Sequence, residues 1–113
     1  MKTIMVRYKT KPEHAEANAS LVRAVFEELR KVAPAGLCYS SYRLADGVSF
    51  VHVASHAEPN PLRHLPAFEA FQSQIKQRVE APPEITELLA LGSYGLSPAP
   101  EELEREVLGS RHD

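Results

Sequence analysis

The chain has 113 residues, enough for one small domain with a single core, and its 43% hydrophobic and 25% charged content is that of an ordinary globular protein. Formal charge is -2, with 11 Lys and Arg against 10 Asp and Glu over residues 1–96, so no basic stripe exists to neutralise phosphates and no nucleic-acid partner is expected. Cys38 is single, which excludes an intrachain disulfide, and no apolar run approaches the roughly 18 residues of a membrane span, so a cytoplasmic protein without membrane contact is predicted.

Met1 to Lys9 alternates, with Ile4, Val6 and Tyr8 sharing one face, and predicts a strand. Thr10-Lys11-Pro12-Glu13 has the spacing of a capping box, in which the Thr hydroxyl and the Glu carboxylate cap each other's backbone. From Glu13 to Val32 the apolar residues Leu21, Val22, Val25, Phe26, Leu29 and Val32 recur at steps of three and four, a helix with one buried stripe. Pro34-Ala35-Gly36 ends it. Leu37 to Leu44 and Val48 to Ala54 read as two strands joined at Ala45-Asp46-Gly47, a tight-hairpin signal. Glu58-Pro59-Asn60-Pro61 breaks the chain, and Pro66 opens a second helix to about Arg78, with Phe68, Phe71, Ile75 and Val79 on its apolar side. Pro82-Pro83 bars its continuation, and Glu84 to Leu96 is predicted as a fourth strand.

The order βαββαβ is the ferredoxin-like plan of an α+β protein, with two helices over one face of a four-stranded antiparallel sheet. The opposite face is predicted to carry Val, Leu and Tyr side chains and to be covered by a second copy, making a homodimer. The domain is placed at 1–96. An acidic tail follows at 97–113, with a short helix at Glu101 to Leu108 that either packs on its own surface or lies across the partner.

Three of the five histidines, His52, His56 and His64, fall in the segment that carries the third strand and the second helix. A neutral imidazole, with a pKa of about 6.5, suits removal of a phenolic proton near neutral pH, which makes His64 the first candidate base and His52 a second polar group. The structural alternative for His64 is a ring bonded to a backbone carbonyl. Four residues of strand span about 13 Å, too far for His52 and His56 to share a metal, and no metal site is expected. Tyr39 and Arg43 are candidates to orient an aromatic substrate or hold a carboxylate, although Arg43 also suits a rim salt bridge. Phe68 and Phe71 are core residues or cavity walls, and Cys38 is expected as a small buried hydrophobe. Scattered glycines and the absence of GxSxG exclude a phosphate-cradling loop and a nucleophile elbow.

The run Arg63-His64-Leu65-Pro66-Ala67-Phe68-Glu69-Ala70-Phe71, together with the opening strand and Lys11-Pro12, resembles the antibiotic biosynthesis monooxygenase (ABM) domain. That resemblance covers residues 1–96 and implies a dimeric α+β barrel with a cavity between sheet and helices. It also implies cofactor-independent oxygenation of anthrones or quinols, or haem degradation in one branch. The haem-degrading pattern asks for an Asn on the first strand and a Trp; this chain has no Trp and its Asn residues are Asn18 and Asn60, so haem is not expected. Two readings stand. One is a cofactorless monooxygenase acting on a small phenol, quinol or anthrone, with His64 and His52 as catalytic groups and Tyr39, Arg43, His56, Phe68 and Phe71 against the substrate. The other is a non-catalytic homodimeric barrel that binds a small molecule or only itself, favoured because Ala54 and His56 stand where relatives carry an acidic residue and then an aromatic.

Overall fold

A computed structural model describes residues 1–95. Strand β1 (Lys2–Lys9) lies beside β3 (Ser49–His56), which also pairs with β2 (Leu37–Arg43); β4 (Glu84–Glu87) closes the other side of β1. The sheet order is β2-β3-β1-β4, all antiparallel, as the ferredoxin-like plan requires. Register decides which side chains meet. Ser41 and Val6 stand opposite His52, and Tyr8 stands opposite Phe50, so these residues share the helix-covered face.

The helical layer begins with a 3-10 turn at Pro12–His14 that leads into α1 (Ala15–Val32). Thr10 does not form the expected capping box. Its side chain is fully buried and donates to the Val48 carbonyl (2.9 Å), so the hydroxyl ties β1 to the β2–β3 hairpin rather than to the helix. α1 buries Ala15, Asn18, Ala19 and Val25. It stops where Ala33 turns left-handed (φ 48) and donates to the Leu29 carbonyl (2.7 Å).

The expected single second helix is two: α2 (Pro66–Ser73) and α3 (Ile75–Arg78), broken at Gln74 (φ -127). Arg78 reaches back across the break and donates to the Phe71 carbonyl (2.6 Å). A further 3-10 turn at Pro61–His64 precedes α2, with the Asn60 side chain accepting from the Leu62 amide. Tyr8, Val25, Phe50, Leu62, Leu65, Phe71 and Val79 form the centre of the core between the layers.

Three further sequence expectations change. β4 has four residues instead of running to Leu96, because it pairs with Ile4–Arg7 and β1 begins at Lys2; after Leu88 donates to Thr3 (2.9 Å) little strand is left to pair with. Leu89, Leu91 and Tyr94 are consequently exposed. The predicted end at Leu96 and the 97–113 tail lie outside the described residues. Cys38 is exposed on the uncovered sheet face rather than buried, because β2 turns Leu37 and Tyr39 towards the helices and Cys38 away from them. The apolar part of that face is narrower than expected: Met5, Val51, Val53 and Tyr42, flanked by Thr3, Ser40 and Ser55. No described helix is long and apolar enough to cross a membrane.

Thr10→Val should cost about 1 kcal/mol in urea unfolding, the net worth of one hydrogen bond, since the Val48 carbonyl keeps the Thr10 amide at 2.8 Å. Glu13→Ala should change stability little; a large loss there would restore the capping box.

Candidate functional site

Five polar side chains inside the core form one chain of hydrogen bonds that joins five elements. Arg78 Nε donates to Asn18 Oδ1 (2.9 Å), and Asn18 Nδ2 donates to the Tyr8 hydroxyl (2.9 Å). That hydroxyl lies 2.7 Å from His52 Nε2, and His52 Nδ1 lies 2.5 Å from Ser41 Oγ. α3, α1, β1, β3 and β2 each supply one member.

The direction of the protons follows from the donors. The guanidinium can only donate, so Asn18 must present its oxygen to Arg78 and its NH2 to Tyr8. Tyr8 then accepts from Asn18 and needs an acceptor for its own proton, which His52 Nε2 supplies. His52 therefore carries its hydrogen on Nδ1 and donates to Ser41. The reverse tautomer would leave the buried phenol proton with no partner, a cost of about 1–3 kcal/mol. Every donor points the same way, from Arg78 towards Ser41.

Burial dominates the electrostatics. It pushes His52 down to about 4, so the ring is uncharged at neutral pH. It raises the Tyr8 phenol well above the ordinary tyrosine value, opposed in part by the Asn18 donor and the Arg78 charge. Tyr39 is raised by burial as well, with the Ser41 hydroxyl near enough to offset some of the rise. A phenol of ordinary acidity, about 10, would have to pass its proton roughly 8 kcal/mol uphill to such an imidazole. His52 is thus a poor general base and a good fixed dipole.

The candidates from sequence fall in different places. Tyr39, His52 and Phe71 come together: Tyr39 stacks over the imidazole (centroids 6.1 Å, 15°) and Phe71 meets it edge-on (5.5 Å, 74°). Phe68 packs on Phe71 at 6.2 Å and is half-buried. Arg43 is taken up at the rim, donating to Glu16 (2.8 Å) and the Gly47 carbonyl (2.8 Å), with its guanidinium over Phe50. His56 is buried at the far end of β3, where Nδ1 lies 3.1 Å from the Ala57 carbonyl and 3.9 Å from Glu58. His64 is exposed at the end of its 3-10 turn and makes none of the contacts of the buried chain. Among the described residues no three His, Cys, Asp or Glu side chains are grouped closely enough to hold a metal ion.

A cleft of about 250 Å³ opens beside this network, between the C-terminal half of α1 and the edge strand β2. Phe26, Leu29, Arg30, Leu37 and Tyr39 form its walls, and the Ala33-Pro34 turn closes one end. Phe26 and Tyr39 are stacked (5.1 Å, 14°), which gives a flat aromatic surface. Tyr39 is shared: it lines the cleft and covers His52.

Sequence reasoning missed Asn18, Ser41 and Arg78, together with Phe26 and Arg30 as cleft residues. A signal existed for two of them. Asn18 stands four before Val22 and seven before Val25, and Arg78 seven after Phe71, so both occupy the apolar register of their helices. A polar residue on that stripe is buried with a partner.

No model of a known protein family matches the sequence, and no curated protein matches it. Solved structures do. Rv0793 from Mycobacterium tuberculosis matches with a TM-score of 0.66 at 22% identity over 83% of this chain and 98% of its own. An antibiotic biosynthesis monooxygenase matches with a TM-score of 0.62 at 17% identity over 81% of this chain and all of its own. A Nitrosomonas europaea protein that bears the same name provisionally matches at 0.67 and 16% identity, over 81% and 100%.

Because the His52 pKa is depressed, its titration should leave folding stability unchanged above pH 6.5. Stability should fall as pH drops from 6.5 towards 4, where the unfolded chain takes up a proton that the native ring refuses. The slope should approach about 1.4 kcal/mol per pH unit at most. Urea midpoints of the wild type and His52→Gln over that range check it; an equal slope in both would remove His52 as the cause.

With this topology shared across nearly their whole lengths at identities that speak for fold alone, the chain has the ferredoxin-like fold of the antibiotic biosynthesis monooxygenase domains.

Proposed function

We propose that the chain is a homodimeric, cofactor-independent monooxygenase-like protein acting on a small electron-rich aromatic of the phenol, quinol or anthrone type. The observation that carries this reading is the meeting at Tyr39 of an aromatic-walled cleft and a unidirectional hydrogen-bond chain whose histidine is uncharged. The names carried by structures of the same fold agree with it. A phenolate or carbanion held flat against Phe26 and Tyr39 would be rich enough in electrons to reduce dioxygen directly. For an anthrone-type methylene the balance is CH2 plus O2 giving C=O plus H2O.

On this reading His52 works by position. Its ring, fixed between Tyr8 and Ser41, holds the Tyr39 ring in place by stacking, while the substrate proton leaves to water at the open side of the cleft. Phe71 meets the His52 ring edge-on and Phe68 packs on Phe71, so both hold the histidine rather than the substrate. Arg43, His56 and His64 take no part in the chemistry. The exposed thiol of Cys38 suits a reducing, cytoplasmic setting.

A second reading has its own support: among the described residues every buried side-chain nitrogen and oxygen has a partner, and the space over His52 is filled by Tyr8, Tyr39 and Phe71. A barrel that binds a small aromatic without turning it over has that character.

Oxygen uptake in metal-free buffer should rise on adding an anthrone or quinol, with a rate that climbs with pH as the substrate ionises. Tyr39→Ala should cut the increment at least tenfold, and His64→Ala should leave it unchanged. Loss of the increment in His64→Ala makes the exposed imidazole the proton acceptor and ends the route described here. Substrate binding with no increment at any pH selects the second reading.

The homodimer is proposed to form through the uncovered sheet face, where Met5, Val51, Val53 and Tyr42 make an apolar strip that one subunit leaves half-exposed. Val53→Lys should shift sedimentation at micromolar concentration from dimer to monomer. A wild type that sediments as a monomer under the same conditions overturns the interface.

A further inference from the structure

We infer that the cleft between α1 and β2 selects planar aromatics that carry an anionic oxygen, with Arg30 as the residue that reads the charge. This rests on the cleft being a ligand site, as proposed above, but not on any turnover there.

Hydrogen-bond chemistry sets the preference. Among the described residues only two side chains lining the cleft are polar, Arg30 and Tyr39, and neither is an anion. A guanidinium only donates. Tyr39 stays protonated because burial raises its pKa, so its hydroxyl has a proton to donate. Among the described residues no carboxylate pairs with Arg30, whereas Arg43, at the far end of β2, has Glu16 at 2.8 Å. Among the described residues no Asp or Glu lines the cleft. A site whose polar groups are all donors, with one cation, favours a ligand oxygen that accepts two hydrogen bonds and carries negative charge. A carboxylate and a phenolate share that chemistry.

Shape supplies the rest. Phe26 and Tyr39 stack with their planes 14° apart, so they present a flat wall, and Leu29 and Leu37 flank it. A single flat ring system of about two fused rings suits the 250 Å³ space and the stacking geometry. The carbonyl end of α1 at Ala33 closes the cleft with its partial negative charge and so opposes an anion there. Arg30 and Lys31 sit in that last turn and offset it, which places the anionic oxygen towards Arg30 and Tyr39 and the bare ring edge towards Pro34.

The test is a fluorescence titration of the full chain at pH 7 with 2-naphthoate and its uncharged analogue 2-naphthamide. Saturable one-to-one binding is expected, with the carboxylate favoured by about fivefold, the scale of a partly exposed ion pair. Arg30→Gln should abolish that preference while leaving naphthamide affinity within about twofold, and Lys31→Gln should preserve it. Phe26→Leu should weaken both probes alike. Absence of saturable binding, equal affinity for the two probes, or a preference that survives Arg30→Gln overturns the inference. A failed oxygen-uptake assay alongside intact, Arg30-dependent naphthoate binding would sink the oxygenase reading and leave this one standing.

Discussion

A neutral histidine in the middle of a packed core is the constraint on which the rest of this structure depends. His52 has the Tyr8 hydroxyl on one ring nitrogen and the Ser41 hydroxyl on the other, and aromatic rings on its faces and edge. Burial in such surroundings is tolerable only with both nitrogens satisfied, because an unpartnered polar group there costs about as much as the fold can spare. Tyr8 and Ser41 must therefore come from the strands on either side, and the β2-β3-β1 order with its observed register is what delivers them. Asn18 and Arg78 then become necessary in turn, since Tyr8 needs a donor and Asn18 needs one as well.

The same chain of bonds links the two helical segments to the sheet without any ion pair. Arg78 is buried, stacks its guanidinium over Phe71 at 5.3 Å and donates to the Phe71 carbonyl, so its charge is spread over dipoles and a ring rather than met by a carboxylate. That arrangement explains why the second helix breaks at Gln74. The short α3 brings Arg78 back beneath α2 and onto Asn18 of α1. The break therefore serves the buried network, and it also leaves Tyr39 as the point where network and cleft meet.

Histidine clustering in the sequence is a weak guide to a shared site here. His52, His56 and His64 are close along the chain, but the strand and the proline-rich loop carry them to three different environments: the core, the far end of β3 and the surface. Adjacency in sequence brings side chains together only when the backbone period allows it, and an extended strand moves residues four apart by about 13 Å. Arg43 is likewise a reasonable carboxylate ligand by residue type, and is held instead by Glu16, which helix α1 places above it.

Much of the architecture was legible in the amino-acid order alone. The period-two runs at β1, β2 and β3, the three-and-four stripe of α1, the Asp-Gly hairpin and the proline stops determine the βαββαβ order, since each is a local preference that tertiary packing has no reason to override. Alternation also determined that Phe50, His52 and Ala54 share a face. What only the tertiary structure decided is the set of partners across that face: that Asn18 and Arg78 turn inward, that Thr10 joins the hairpin instead of capping α1, and that β4 stops where β1 runs out. These depend on register between segments as many as 60 residues apart. Hydrophobic periodicity fixes which way a side chain faces but carries no information about what stands opposite it.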